Sequence, residues 1–398
     1  MPIKNKYDIV ISGAGPSGSQ CAEVLARAGF SVALIERDKD WRKPCGGGVS
    51  SKVIALYPQL KKLNIPKIKG YVIYSASGSE LKFTRDNPED STVMDRLELD
   101  SIMRDSAVDA GADLYNKYFS YDFLYHDHKK VGIKTRSSTG VQDFQAKIIV
   151  IADGVSSKLA PKSGLRSKWS IDDLLIAKCS IMEGDHNLNE NRIYIYFKPY
   201  SGYGWIFPLG GNRFNIGAGG YATEMAKLNL NQVYKEFIQN PNLKSILPTN
   251  SYKTIWTGAY PEPNMGVLEK SLCDENIMLV GDNAGFVNPI NGEGIFAGVM
   301  SGKAAAETAI FSLENESLLE TSIRKYKKHP EIKQIIRSFK LRRSLIDTFL
   351  GNQGMTLNRM FKLSEEDEEF KTQLINLFLG KAGNLPTTEV LKELSSKK

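Results

Sequence analysis

Tyr7-Asp8-Ile9-Val10-Ile11-Ser12-Gly13-Ala14-Gly15-Pro16-Ser17-Gly18, followed by residues 19–28, 31–35 and Glu36, is the stretch whose reading decides the fold. An apolar run meets a Gly-rich turn, then a segment with helical spacing, then a second apolar run closed by an acid. The order is strand, turn, helix, strand. Gly13 permits the tight turn, Gly15 lets backbone approach a pyrophosphate, and Gly18 lets helix and strand pack closely, with the phosphate charge at the helix N-terminus where Ser17 stands. Glu36 lies at the end of the second strand, where a carboxylate accepts hydrogen bonds from ribose hydroxyls. A GxGxxG alone is weak evidence. Set in this order of elements and closed by an acid, it predicts a dinucleotide site.

The totals place few limits on this reading. The chain has 398 residues, 41% of them apolar, which suffices for two domains or one elaborated domain with a sizeable core. A net charge of +7 is modest and spread out. It favours an anionic neighbour without naming nucleic acid, and no nucleic-acid partner is expected. Cys21, Cys45, Cys179 and Cys273 form no CxxC pair, so a reducing compartment and no metal site are expected. The dinucleotide turn begins so early that no signal peptide is expected, and no apolar run is long enough to span a membrane.

Beyond Glu36 the chain continues through Lys43-Pro44 into Cys45-Gly46-Gly47-Gly48. Three consecutive glycines suit neither helix nor strand interior, so this loop either passes close over a bound group or is a plain Gly-rich turn. Cys45 is a small buried thiol or, at the mouth of that loop, a reactive one. Residues 70–74 and 80–84 read as a hairpin around Ser77-Gly78-Ser79. Residues 95–111 read as a helix with Arg96 at its start, where a cation needs a phosphate or carboxylate partner to offset the dipole. Strands are expected at 114–118, 131–135 and 144–152, the last delivering Asp153-Gly154.

Residues 174–257 alternate apolar and aromatic side chains, with few helix signals and Gly-rich turns. Tyr203, Trp205 and Phe207 are spaced by two, so in a strand their rings share a face, as core or as the wall of an apolar pocket. A strand then ends in Val280-Gly281-Asp282, and Gly294-Ile295 opens a helix rich in Gly, Ala and Ser. A carboxylate at a strand end before a Gly-rich helix start suits a ribityl hydroxyl at Asp282 and a ring edge at the helix N-terminus. From 331 onward the pattern is helical: Ile332, Ile335, Ile336, Phe339, Ile346, Phe349 and Leu350 form one stripe, with Lys333, Arg337, Lys340, Arg342 and Arg343 largely off it. Such a helix either packs on its own domain or lies on anionic lipid. Ser364 with Asp367 marks a further helix start.

Together these segments resemble the flavoprotein geranylgeranyl reductase family, within the wider group sharing the p-hydroxybenzoate hydroxylase fold. The likeness covers roughly residues 7–311. It rests on the Gly13–Gly18 turn with Glu36, on Lys43-Pro44-Cys45-Gly46-Gly47-Gly48, on Asp95-Arg96 with Leu99-Asp100, on Asp153-Gly154, and on Val280 through Ile295. The family's Pro-x-x-Tyr-x-Trp-x-Phe-Pro pattern is matched by Tyr203-Gly204-Trp205-Ile206-Phe207-Pro208, but Pro199 stands one residue too far upstream.

The resemblance implies an α/β fold with an α+β insert: a Rossmann-like FAD-binding domain (1–67, 91–167, 269–313) interleaved with an antiparallel-sheet substrate domain (68–90, 168–268), plus a helical C-terminal region (314–398). It implies FAD held by Gly13, Gly15, Ser17, Gly18, Glu36, Arg37, Cys45, Gly46, Gly48, Arg96, Ser120, Asp282, Gly294 and Ile295. Ser120 would act through its backbone on the adenine side. Tyr203, Trp205 and Phe207 would contact an isoprenoid or lipid substrate, with Cys45, Tyr203 and Trp205 nearest the chemistry.

The implied activity is reduction of isolated C=C bonds of geranylgeranyl chains, on membrane lipids or a prenyl diphosphate. The external reductant (NADPH, NADH or ferredoxin) and the oligomeric state stay open. A cytoplasmic location follows, with a peripheral place on the cytoplasmic membrane face as an option. The competing activities are a flavin monooxygenase of the same fold and a non-catalytic flavin electron carrier at a membrane. No Gly-Trp-x-Lys motif of the flavin halogenases is present.

Overall fold

A computed structural model describes residues 4–84, 91–248, 252–315, 319–350 and 355–379, with side chains left out at 345–350 and 379. The decisive stretch forms the strand Lys6–Ser12, the helix Pro16–Arg27 and the strand Val32–Glu36. Lys6–Ser12 is central to its sheet. It pairs in parallel with Val32–Glu36 on one side and with Gly140–Ile151 on the other, and Ile277–Leu279 and Asp113–Asn116 extend the parallel set outward. Ile9, Val10 and Ile11 are fully buried, as expected of a strand covered on both faces.

The hairpin Phe119–His126 and Lys129–Ser137 adds antiparallel strands against Gly140–Ile151. Phe119–His126, which carries Ser120, was not expected from sequence. Its inward residues are Ser120 and Phe123, too few apolar positions to mark a strand against Tyr121, Asp122 and Tyr125.

A second sheet holds seven strands in the order Lys253–Pro263, Leu174–Glu183, Arg213–Tyr221, Gly202–Gly210, Arg192–Phe197, Gly70–Tyr74 and Glu80–Thr84. All neighbours are antiparallel except Arg192–Phe197 with Gly70–Tyr74. The hairpin Gly70–Tyr74/Glu80–Thr84 thus joins strands a hundred residues later, an interleaving that periodicity alone does not reveal. The region read as having few helix signals carries two helices, Ala222–Leu228 and Leu230–Ile238. Asn229, between them, caps the second through its side chain, while Val233 and Phe237 pack on the sheet.

The short ladder of Gly48–Val49 with Thr92–Val93 ties the Gly-rich loop down. Gly47 has φ 82°, and a Cβ there would lie 2.1 Å from Met94 O, so glycine is required.

The helix Ile295–Glu314 packs along Pro16–Arg27. Backbone contact is close enough that a Cβ on Gly302 would lie 2.1 Å from Ser17 O. The helix Pro330–Leu350 buries Ile332, Ile335, Ile336 and Phe339 in the main core, so it packs on its own protein. Ile346, Phe349 and Leu350 lie outside the described side chains. Arg342, read as off the apolar stripe, is nonetheless buried: it is only 2% exposed. The next helix start is also corrected. Ser364 lies inside Met355–Glu366, its Oγ donating to Phe361 O, whereas Asp367 alone caps Glu368–Leu379 by accepting from Phe370 N. Among the described residues, no helix is long and apolar enough to cross a membrane.

Candidate active site: a cleft beside an apolar cavity

The carboxyl ends of the central parallel strands border a cleft. Gly13 turns there with φ 101°, and a Cβ on it would lie 2.5 Å from Ala152 O. Gly18 sits behind the turn, where a Cβ would lie 1.9 Å from Gly13 O, so it serves the helix–strand contact and does not border the cleft. Gly15 has open space in front of it, as the approach of a phosphate requires. Ser17 lies on the wall, against Gly281.

Glu36 is a brace as well as a wall residue: its carboxylate accepts from Ala14 N at 2.9 Å and from Asp38 N at 2.7 Å. Arg37 borders the cleft with its guanidinium 5.7 Å from the Trp41 ring centroid. Arg96 starts the helix Arg96–Asp109, and its expected anionic partner is internal. Nε and Nη2 donate to the two carboxylate oxygens of Asp100, both at 2.9 Å. Asp95 caps that helix through Leu97 N and accepts from Arg42 Nε.

Three features bear on whether these residues fit FAD. Ser120 Oγ is buried at the cleft without a hydrogen-bond partner. The Gly13–Gly15 backbone leaves a cradle that side chains would fill. Asp282, on the far wall, is held by Lys43 Nζ. Donors, room and a carboxylate line one cleft, as a dinucleotide requires. The residues fit the group.

Lys43 also borders a second space, an apolar cavity of about 710 Å³. Burial works against its charge, but Asp282 outweighs burial and holds the ammonium above its ordinary range. Cys45, Gly46, Gly48, Gly294 and Ile295 border this cavity rather than the cleft, so the expected cofactor residues fall into two groups that meet at Lys43.

Tyr203, Trp205 and Phe207 form a row on one face of the strand Gly202–Gly210, their neighbouring centroids 5.9 and 6.3 Å apart. The row is both core and wall: Trp205 is 7% exposed, yet all three rings line the cavity. Tyr203 Oη donates to Asn291 O at 2.6 Å, and burial pushes its phenol up, so it stays neutral.

Three contributors went unread in sequence. Asn215 accepts from Trp205 Nε1 at 2.8 Å and donates to Cys45 O at 2.9 Å, which locks the aromatic row to the Gly-rich loop. Glu262 reaches the cavity from the strand Lys253–Pro263. A Cβ placed on Gly292 would lie 2.3 Å from Glu262 Oε1 and 3.4 Å from Tyr203 Oη, so carboxyl and phenol converge there. Burial, with Asp282 and Glu293 adding to it against Lys43, pushes the Glu262 carboxyl up to about 8. Arg342 is the third. None stands in a motif; each is brought in by strand register or helix packing.

Residues 6–329 match the family model described as FAD binding domain. The chain is similar to digeranylgeranylglycerophospholipid reductase 2 of Methanothermobacter thermautotrophicus, 28% identical over 382 residues covering 90% of this chain and 95% of that one. It is similar also to digeranylgeranylglycerophospholipid reductase of Methanosarcina mazei, 29% identical over 317 residues covering 77% of this chain and 76% of that protein. Among solved structures, a geranylgeranyl bacteriochlorophyll reductase-like protein of Thermoplasma acidophilum shares the fold with TM-score 0.81 and 24% identity, covering 99% of this chain and 96% of that one. The flavin-dependent brominase Bmp2 shares it with TM-score 0.75 and 19% identity, covering 94% of each chain.

Proposed function

Because this chain belongs to the FAD binding domain family, we propose that it is a flavin-dependent oxidoreductase that saturates isolated C=C bonds of geranylgeranyl chains, on a membrane lipid or a prenyl diphosphate. One observation carries the reading: an aromatic-walled apolar cavity of about 710 Å³ opens beside the nucleotide cleft, with Lys43 on the wall of both. The names of the reductases to which the chain is similar support the substrate class.

Gly13, Gly15 and Ser17 would hold the pyrophosphate at the start of the helix Pro16–Arg27, with Gly18 packing the turn from behind. Glu36 and Arg37 would hold the adenosine ribose and Ser120 the adenine. Arg96 and Asp282 would hold the body and polyol of the group, and Cys45, Gly46, Gly48, Gly294 and Ile295 its ring system. Bound in reduced form, FAD supplies the hydride.

The chain's own residues must position the alkene, exclude water and furnish a proton. Tyr203, Trp205 and Phe207 position the hydrocarbon and keep the cavity dry. The Glu262 carboxyl, which burial pushes up to about 8, stands beside Tyr203, where in its protonated form it would serve as the general acid. Cys45 borders the same cavity from the Gly-rich loop. The domain division stated from sequence is part of this proposal, as is peripheral contact with an anionic membrane face, which the net charge of +7 favours. Salt-sensitive co-sedimentation with anionic vesicles tests the contact, and its absence at low salt would remove it.

An anaerobic single turnover tests the activity. Pre-reduced protein mixed with a geranylgeranyl lipid should reoxidise as the lipid gains two hydrogens per double bond. Reoxidation only on admission of oxygen, with a hydroxylated product, would establish the monooxygenase instead. Reoxidation by a quinone with the lipid unchanged would establish an electron carrier.

A further inference from the structure

On the wall of the large cavity the helix Pro330–Leu350 sets Gln334, Ser338 and Arg342 four residues apart, a single polar row. The row runs inward: Gln334 is exposed, Ser338 half-buried and Arg342 buried at 2% exposure. Arg342 Nη1 donates to Ser338 O at 3.2 Å, but Nε and Nη2 have no hydrogen-bond partner. Glu293 is near enough to favour the charged form, yet among the described residues no ion pair joins them, and Glu293 Oε1 already accepts from Phe296 N at 2.7 Å. A guanidinium keeps its charge in proteins, so a buried one with two idle donor atoms is costly unless an anion meets it. Its planar fork matches the oxygens of a phosphate. Ile73, Ile195, Phe197 and Phe378 supply apolar wall to the cavity it faces, which Lys43, Lys52 and Glu262 also border.

We propose that Arg342 is the anchor for the phosphate of an amphiphilic prenyl ligand, Nε and Nη2 donating to its oxygens while the isoprenoid chain lies along the apolar wall. The prenyl chain rests on the reductase reading above; the anion rests on Arg342 alone.

Calorimetric titration of the FAD-loaded protein with geranylgeranyl phosphate and with uncharged geranylgeraniol, both in neutral detergent, tests it. The wild-type protein should prefer the phosphate, and Arg342→Gln should weaken the phosphate ester about 10- to 100-fold while changing the alcohol less than about twofold. Arg342→Lys should retain part of the preference. Removing an unpaired buried charge should leave Tm equal or raise it, whereas a structural arginine would lower it.

Equal weakening of both ligands, or an unchanged preference, would overturn the proposal. Should Arg342→Gln not fold, pyrophosphate competition on the wild-type protein decides: it should displace the phosphate ester and not the alcohol, and displacement of neither overturns the anchor. A digeranylgeranyl glycerophosphate and geranylgeranyl diphosphate run in parallel identify the headgroup by the larger Arg342-dependent loss. Arg342-dependent binding without any turnover would sink the reductase reading and leave the anchor standing.

Discussion

Two glutamates in this protein face bound-group sites with opposite equipment. Glu36 accepts from two backbone N–H groups; Glu262 is buried, and burial, with the carboxylates of Asp282 and Glu293 adding to it against Lys43, opposes its charge. Glu262→Gln should therefore lower single-turnover reduction by about 10²-fold while FAD occupancy stays full. A full-rate variant would dismiss Glu262 as the proton source.

The pH dependence has a definite sign. The folded carboxyl, pushed to about 8, binds a proton more tightly than the unfolded one at its ordinary value. The wild-type protein then carries a stability contribution that is present below about pH 4 and lost as pH rises toward 8. Thermal melts from pH 5 to 8.5 should show wild type losing Tm relative to Glu262→Gln over that window; parallel curves would refute it.

At this scale Gly13, Gly15, Ser17 and Glu36 were legible, because they belong to a spaced motif, whereas Ser120 came from the family resemblance alone. Asn215, Glu262 and Arg342 were not legible, because a single polar residue in a strand or helix looks the same whether it meets solvent or a cavity.

Among the elements, the helix Pro330–Leu350 decides most. Its stripe was readable, but what the stripe faces was not, since a period of 3.6 specifies an apolar face without specifying its partner. Ile332 is fully buried in the main core. Ile332→Ala should cost about 2–5 kcal/mol in urea unfolding, whereas a helix lying only on lipid would show almost none.

The helix Arg96–Asp109 makes the same point for charge. The cation at its start called for an anionic partner, and the partner is Asp100, one turn along. Asp95→Ala should remove both the cap and the acceptor of Arg42, at about 1 kcal/mol for the cap. The start assigned to Ser364 failed because a serine within a helix can satisfy its hydroxyl on a preceding carbonyl, as it does on Phe361 O.

For the whole molecule, the cleft is assembled from Gly13, Glu36, Ser120 and Asp282, on segments far apart in the chain. A ligand that bridges them can bind only the folded chain, so FAD at 100 times its Kd should stabilise the protein by about 2.7 kcal/mol, with Tm rising as FAD rises. A Tm indifferent to FAD, or protein that stays colourless in excess FAD, would undo the assignment.

By itself the sequence determined the parallel nucleotide half, its Gly-rich turn and acid, the Lys43–Gly48 loop and the shared face of Tyr203, Trp205 and Phe207. All of these are written in local spacing, which the backbone's periods convert directly into geometry. Only the tertiary structure decided that the hairpin Gly70–Tyr74/Glu80–Thr84 joins its sheet by parallel pairing with Arg192–Phe197, that Lys43 stands between cleft and cavity, and that Glu262 and Arg342 face the same apolar space. Those are consequences of register and packing between distant segments, where burial, not residue type, sets what a charge can do.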